Sequence, residues 1–120
     1  MSHQFTRDQR LLTSADFQRV FDNPLKSADS YFTVLAKKRL EGIDSRLGLA
    51  IAKKQLKRAV DRNRIKRLIR ETFRQEPSLK AQAIDFIVMT RHSVRAKTNA
   101  ELQHSLQQLF AQALSKLDQA

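Results

Sequence analysis

Between Lys53 and Arg74 the chain places ten of its 23 Lys and Arg residues against only two acids, Asp61 and Glu71, so this stretch carries +8 of a formal net charge of +11. Cations at that density repel one another unless a polyanion neutralises them, and the polyanion with a dense array of phosphates is nucleic acid. The centre of the stretch reads Arg62-Asn63-Arg64-Ile65-Lys66-Arg67-Leu68-Ile69-Arg70-Glu71. The chemistry these side chains suit is anion recognition. A guanidinium fork grips two phosphate oxygens at once, and an Asn amide both donates and accepts, as ribose hydroxyls and base edges require.

Other chemistries are poorly served. His3, His92 and His104 are the only imidazoles, none has a metal-ligand spacing, and the 12 acidic residues are scattered. His92 follows an apolar segment and is the one candidate for a general base, whereas His104 stands among Gln103, Gln107 and Gln108 as on a solvated helix side. No paired carboxylates and no nucleophile-base arrangement can be recognised. No residue is therefore assigned a catalytic or metal-binding role. The lack of Cys excludes a disulfide framework and thiolate metal sites and agrees with a reducing compartment. The N-terminal residues 1–10 lack the apolar run of a signal peptide, and nothing later approaches the roughly 18 uninterrupted apolar residues of a membrane span. A soluble, cytoplasmic protein without a membrane partner is expected.

Positioning these cations requires a helix. Ile65, Leu68, Ile69 and Phe73 recur at the spacing of one buried stripe, with Thr72 between them. At 100° per residue, Arg62, Lys66 and Arg70 follow one stripe of the opposite side, and Asn63, Arg67 and Arg74 follow the next. An ordinary solvated face would mix Glu with Lys for pairing four residues apart. Here like charges stand four apart instead, which gives up a few tenths of a kcal/mol at each step unless an anionic ligand recovers it.

Around that helix the chain reads as α+β. Thr13 and Asp16 form a capping-box pattern, so a short helix is expected from about Thr13 until Asn23-Pro24 ends it. Phe17 and Phe21 then share one face, to pack inward or to offer a stacking surface; the residues alone favour packing. Residues 31–36 and 46–52 read as strands joined antiparallel through the turn chemistry of residues 41–45. Residues 83–90 read as a central strand covered on both faces, and Thr98 to Leu117 as a closing helix with Leu102, Leu106, Leu109, Phe110, Ala113, Leu114 and Leu117 at helical spacing. With 120 residues, 41% of them hydrophobic, and no internal repeat, one domain over residues 1–120 is expected.

The string Arg62-Asn63-Arg64-x-Lys66-Arg67-x-x-Arg70-Glu71, preceded by Arg46-Leu47-Gly48-Leu49-Ala50-Ile51-Ala52-Lys53-Lys54, resembles the signature of the bacterial ribonuclease P protein subunit. The resemblance extends to Asp16-Phe17-Gln18-Arg19-Val20-Phe21, to Asp85-Phe86-Ile87-Val88 and to the Leu-rich final helix, in order along nearly the whole chain. It implies a small α+β sandwich of a ribosomal-protein type, with a mixed sheet of about four strands, three helices and a left-handed β-α-β crossover, against the usual right-handed rule. It implies a ribonucleoprotein that removes the 5′ leader of precursor tRNA, in which a catalytic RNA, one per protein, performs the Mg²⁺-dependent cleavage and this chain assists. Arg62, Asn63, Arg64, Lys66, Arg67 and Arg70 would dock on the catalytic RNA. A cleft beside the first helix would receive the single-stranded leader, with Phe17 and Phe21 as one wall, Thr33 and Leu35 on the floor, and Lys53, Lys54 and Arg91 at the strand ends. Some relatives carry an aromatic on that floor strand and often Ser at the position of Ala52; this chain offers neither, which shifts the expected grip from stacking towards charge. The same charge pattern would serve a structural or ribosomal RNA-binding protein without a role in cleavage. A DNA-binding regulator, the other reading of a basic helix, would instead show sequence-dependent duplex binding.

Overall fold

The apolar run that begins at Ile84 takes the middle of a four-stranded sheet. The protein was analysed as a computed structural model that describes residues 13–42, 44–79 and 82–119; residues 1–12, with His3, lie outside that range. In chain order the elements are α1 (Ser14–Phe21), β1 (Leu25–Ala28), β2 (Phe32–Lys38), β3 (Arg46–Ala50), α2 (Ala59–Arg74), β4 (Ile84–Thr90) and α3 (Asn99–Gln119), with short 3₁₀ turns at Pro77–Leu79 and His92–Ala96. The strands lie in the order β1-β2-β4-β3. β1 pairs antiparallel with β2, β2 antiparallel with β4, and β3 parallel with β4. Among the described residues, three helices and an open mixed sheet match the expected α+β class.

Two features of the sheet differ from the sequence reading. The segments around residues 31–36 and 46–52 do not pair with each other, because β4 lies between them. The physical reason is the apolarity of β4: a strand buried almost throughout needs a neighbour on each edge and a cover on each face, whereas β3, with Arg46 and two small residues, suits an edge. Parallel neighbours need a long crossover, and the segment that supplies it is α2. β1 was not legible in the sequence at all. Its Leu-Lys-Ser-Ala has little strand propensity, and it forms because Asp29 folds the chain back: Asp29 Oδ1 accepts hydrogen bonds from the backbone N–H of Tyr31 and Phe32 at 2.8 and 2.9 Å.

One face of the sheet presents Phe32, Val34, Ala36, Leu47, Ile84, Phe86 and Val88, and α2 and α3 bury it. At its centre Phe86 meets Phe73 of α2 and Phe110 of α3 edge to face, with centroids 5.9 and 5.5 Å apart. That geometry suits the ring quadrupoles and locks both helices onto one strand. The other face is covered in part by α1. The capping box at its start is present as expected, Asn23 takes up a left-handed turn (φ 60°) that Asn tolerates, and Val20 is buried against Leu35 and Ile87.

What holds so short a helix on the sheet is mainly charge. Asp85, fully buried on the α1 side of β4, accepts hydrogen bonds from Arg46 Nε at 2.8 Å and Arg46 Nη2 at 2.7 Å. Arg39 and Arg19 each reach it at 2.5 Å. Arg46 also bonds Asp16 at 3.1 Å, and Lys37 Nζ donates to the carbonyls of Arg19 and Asp22 where α1 ends, a favourable place for a cation. Burial pushes the Asp85 carboxyl upward, but the hydrogen bonds from Arg46, Arg39 and Arg19 outweigh it and hold the group below the usual carboxylate range.

Because the folded-state value lies below the unfolded one, this stabilisation is complete above about pH 4 and disappears as the pH falls through the lowered value. Replacing the carboxylate at constant size, Asp85→Asn, leaves three guanidiniums facing one another. We expect the unfolding free energy at pH 7 to drop by about 3 kcal/mol, read as a lower urea midpoint at unchanged slope, with the variant less sensitive to acid than the parent below about pH 4.

Candidate nucleic-acid interface

The helix α2 solves a conflict between its two sides. Ile65, Leu68, Ile69, Thr72 and Phe73 are buried beneath it, while Asn63, Arg67 and Arg70 are exposed along the opposite ridge and Lys66 is half-buried at its flank. Asp61 in the first turn complements the positive helix N-terminus and lies 3.2 Å from Arg95, and Arg74 in the last turn pairs with Glu71. The six expected polar residues are thus on one helix, but they do not all face outward. Arg62 Nη1 donates to the carbonyls of Leu56 and Lys57 at 2.8 and 2.9 Å. Arg64 donates to Asn99 Oδ1 at 2.9 Å and to the carbonyl of Lys97 at 2.6 Å. Periodicity alone could not separate these two from the outward ridge, because their partners, the carbonyls of Leu56, Lys57 and Lys97 and the side chain of Asn99, lie outside the helix.

The second surface is built where three strands come to one end. β3 and β4 run parallel, so both finish at the end where β2 begins. Lys53 and Lys54 follow β3, and Arg91 follows β4; all three are exposed. The turn after β3 is closed by hydrogen bonds from the N–H of Gln55 and Leu56 to the carbonyl of Ala52, and by the full burial of Leu56. It is tied to the end of β4 by Gln55, whose side-chain oxygen accepts from the His92 N–H at 3.1 Å and whose carbonyl lies 3.3 Å from His92 Nδ1. The imidazole weighed as a general base is therefore engaged with a backbone carbonyl. His104 is exposed on α3.

Helix α1 crosses the face of the same sheet, with its charged contacts to Arg46, Asp85 and Lys37 at the end away from these cations. Phe17 and Phe21 are stacked, with centroids 6.3 Å apart and planes 30° from parallel. They are not equivalent: Phe17 packs against the Val20-Leu35-Ile87 cluster, whereas Phe21 remains 47% exposed. Leu35 is buried in the cluster beneath α1, and Thr33, two residues before it on β2, is also buried. The reason is the register, which sets Leu35 opposite Ile87 directly under Val20. The sequence reading missed Gln55, Lys37 and the arginines around Asp85. The signal for the last was the single acid in an otherwise apolar strand.

Comparison with known proteins agrees with this architecture. The Ribonuclease P family model matches residues 5–114. Among solved structures, the Staphylococcus aureus RNase P protein is 36% identical with a TM-score of 0.77, the match covering 87% of this chain and 94% of that one. A mutant of that protein with defective mRNA degradation activity gives 35% identity, a TM-score of 0.80 and 89% coverage of both chains. The Thermotoga maritima RNase P protein gives 28% identity and a TM-score of 0.73, covering 84% of this chain and 94% of that one.

The unequal burial of the α1 side chains generates a prediction that concerns folding alone. Val20→Ala should lower stability by about 2 kcal/mol through the cavity it opens under α1. Phe21→Ala should change it by less than about half a kcal/mol, as surface substitutions do. Thermal unfolding of the two variants beside the parent checks the contrast, and equal losses would mean that Phe21 is packed.

Proposed function

Because the chain belongs to the ribonuclease P protein family, we propose that it binds the ribonuclease P RNA through α2 and the 5′ leader of precursor tRNA through the surface beside α1, and so assists removal of the leader. The observation that carries this reading is the α2 ridge: like charges stacked on one exposed side of a helix whose other side is pinned in the core. Such a ridge is unfavourable by itself and becomes favourable against phosphates, where each neutralised charge releases a counterion. Asn63, Arg67 and Arg70 lead that contact, with Lys66 at its flank; Arg62 and Arg64, on the same helix, are turned onto acceptors of the protein itself.

The leader surface works by position and charge. Lys53, Lys54 and Arg91 line the strand ends and would follow the backbone of an unpaired strand, while Phe21, with Phe17 behind it, offers a ring on which a base can stack. Precursor and mature tRNA differ by this segment alone, so contacts made here separate substrate from product. The chain's part in the reaction is to offset the repulsion between two crowded RNAs and hold the substrate in place.

In this reading Mg²⁺ is held by the RNA and supplies the activation of water there. Asp16 and Asp85, the two acids that meet at Arg46, are both occupied by guanidinium groups. The setting is a soluble, cytoplasmic ribonucleoprotein with one protein per RNA.

The reading is tested by adding the chain to a ribonuclease P RNA and precursor tRNA at low Mg²⁺. Cleavage should rise; a purely structural RNA-binding protein would leave it unchanged. Arg67→Ala should reduce the slope of log affinity against log salt for the RNA subunit by about one. Phe21→Ala should weaken precursor binding about tenfold and leave mature tRNA binding as it was, measured by titration of each labelled RNA.

A further inference from the structure

The cationic surfaces are held together by residues that the charge pattern groups with the binding ridge. Helix α2 starts at Arg58, whose side chain makes no capping bond, so the entry of the chain into the helix must be fixed by other means. Leu56, fully buried, fixes it from below. Arg62, one turn into the helix, fixes it from above by donating from a single nitrogen to two successive carbonyls, those of Leu56 and Lys57. A second bond pair leaves the same turn of helix in another direction, from Arg64 to the carbonyl of Lys97 and the side chain of Asn99, where α3 begins. Cations near a helix N-terminus are disfavoured by the helix dipole, and turning both guanidiniums onto backbone carbonyls offsets that effect while satisfying exposed acceptors.

We infer that Arg62 and Arg64 are positioning residues: they staple the loop carrying Lys53, Lys54, Lys57 and Arg58, and the segment carrying Arg91 and Arg95, to α2, while the RNA grip of the helix itself falls on Asn63, Arg67 and Arg70. The Gln55–His92 contact closes the same arrangement from the far side, joining the two stapled segments to each other. The two cationic surfaces are then one rigid unit, and the spacing between them is set by these arginines. This inference rests on the RNA-binding reading for its consequence, but the staple can be measured without RNA.

The test compares Arg62→Met, which keeps the apolar stem and loses the donors, with Arg67→Met, in the full chain. In the free protein, amide hydrogen exchange at Gln55 and Leu56 should accelerate at least tenfold in Arg62→Met and remain as in the parent in Arg67→Met. With the RNA subunit, the salt slope should fall by about one in Arg67→Met and stay unchanged in Arg62→Met. The preference for precursor over mature tRNA should fall several-fold in Arg62→Met, and combining it with Lys54→Ala should add nothing further, whereas Arg67→Met and Lys54→Ala should act independently. Unaltered exchange at Gln55 and Leu56, or a salt slope reduced in Arg62→Met as in Arg67→Met, would overturn the inference. If the parent chain itself fails to bind the RNA, the functional reading falls and the exchange result still decides the staple.

Discussion

A single carboxylate, that of Asp85, ties together parts of the chain that have little else in common. It sits on the central strand, fully buried, and receives a guanidinium from α1, another from the end of β2 and a third from β3. The helix it secures has eight residues and one fully buried side chain, Val20, far less apolar area than an isolated helix needs to stay in place. Charge does here what a larger hydrophobic contact would otherwise do. It also sets direction: bonds from Asp16 at one end and Arg19 at the other fix the line of α1 across the sheet, and with it the placement of the Phe17–Phe21 pair. A buried ion pair adds less to stability than its Coulomb attraction suggests, but it is hard to satisfy in any other geometry.

The opposite side of the molecule is organised by packing. Phe73, Phe86 and Phe110 meet edge to face, so the basic helix and the final helix are referred to the same strand. The cationic ridge on α2 could not persist on an isolated helix with so many like charges. It persists because five buried side chains beneath it supply what the exposed side gives up.

How much of this could be read from the residues follows from the range of the forces involved. The α2 stripe, the α1 capping box, the α3 repeat and the two-sided burial of β4 are local patterns, and each appears in the structure where the sequence places it. Strand pairing is not local. Nothing in residues 31–52 tells that their two strands are to be parted by one made more than thirty residues later, and the weak Leu25–Ala28 strand depends on a single Asx turn. The same distinction divides the candidate sites. The positions of Arg67 and Arg70 follow from helical period, while the inward turn of Arg62 and Arg64 depends on loops at residues 56–57 and 97–99 that the period does not contain. The burial of Leu35 and Thr33 was hidden for a related reason, since alternation gives the face of a strand but not what lies on top of it.

The sheet order has a bearing on how the protein is born. The strand that every other part leans on is made after β1, β2, β3 and α2, and the apolar side of α3 that closes the core, from Leu102 to Leu117, comes later still. Until then the nascent polypeptide can form little beyond the β1–β2 hairpin, and its arginine-rich stretch emerges without the buried stripe that later restrains it. The tertiary structure thus waits for β4 and α3, and a chain cut short before them would be a loose polycation.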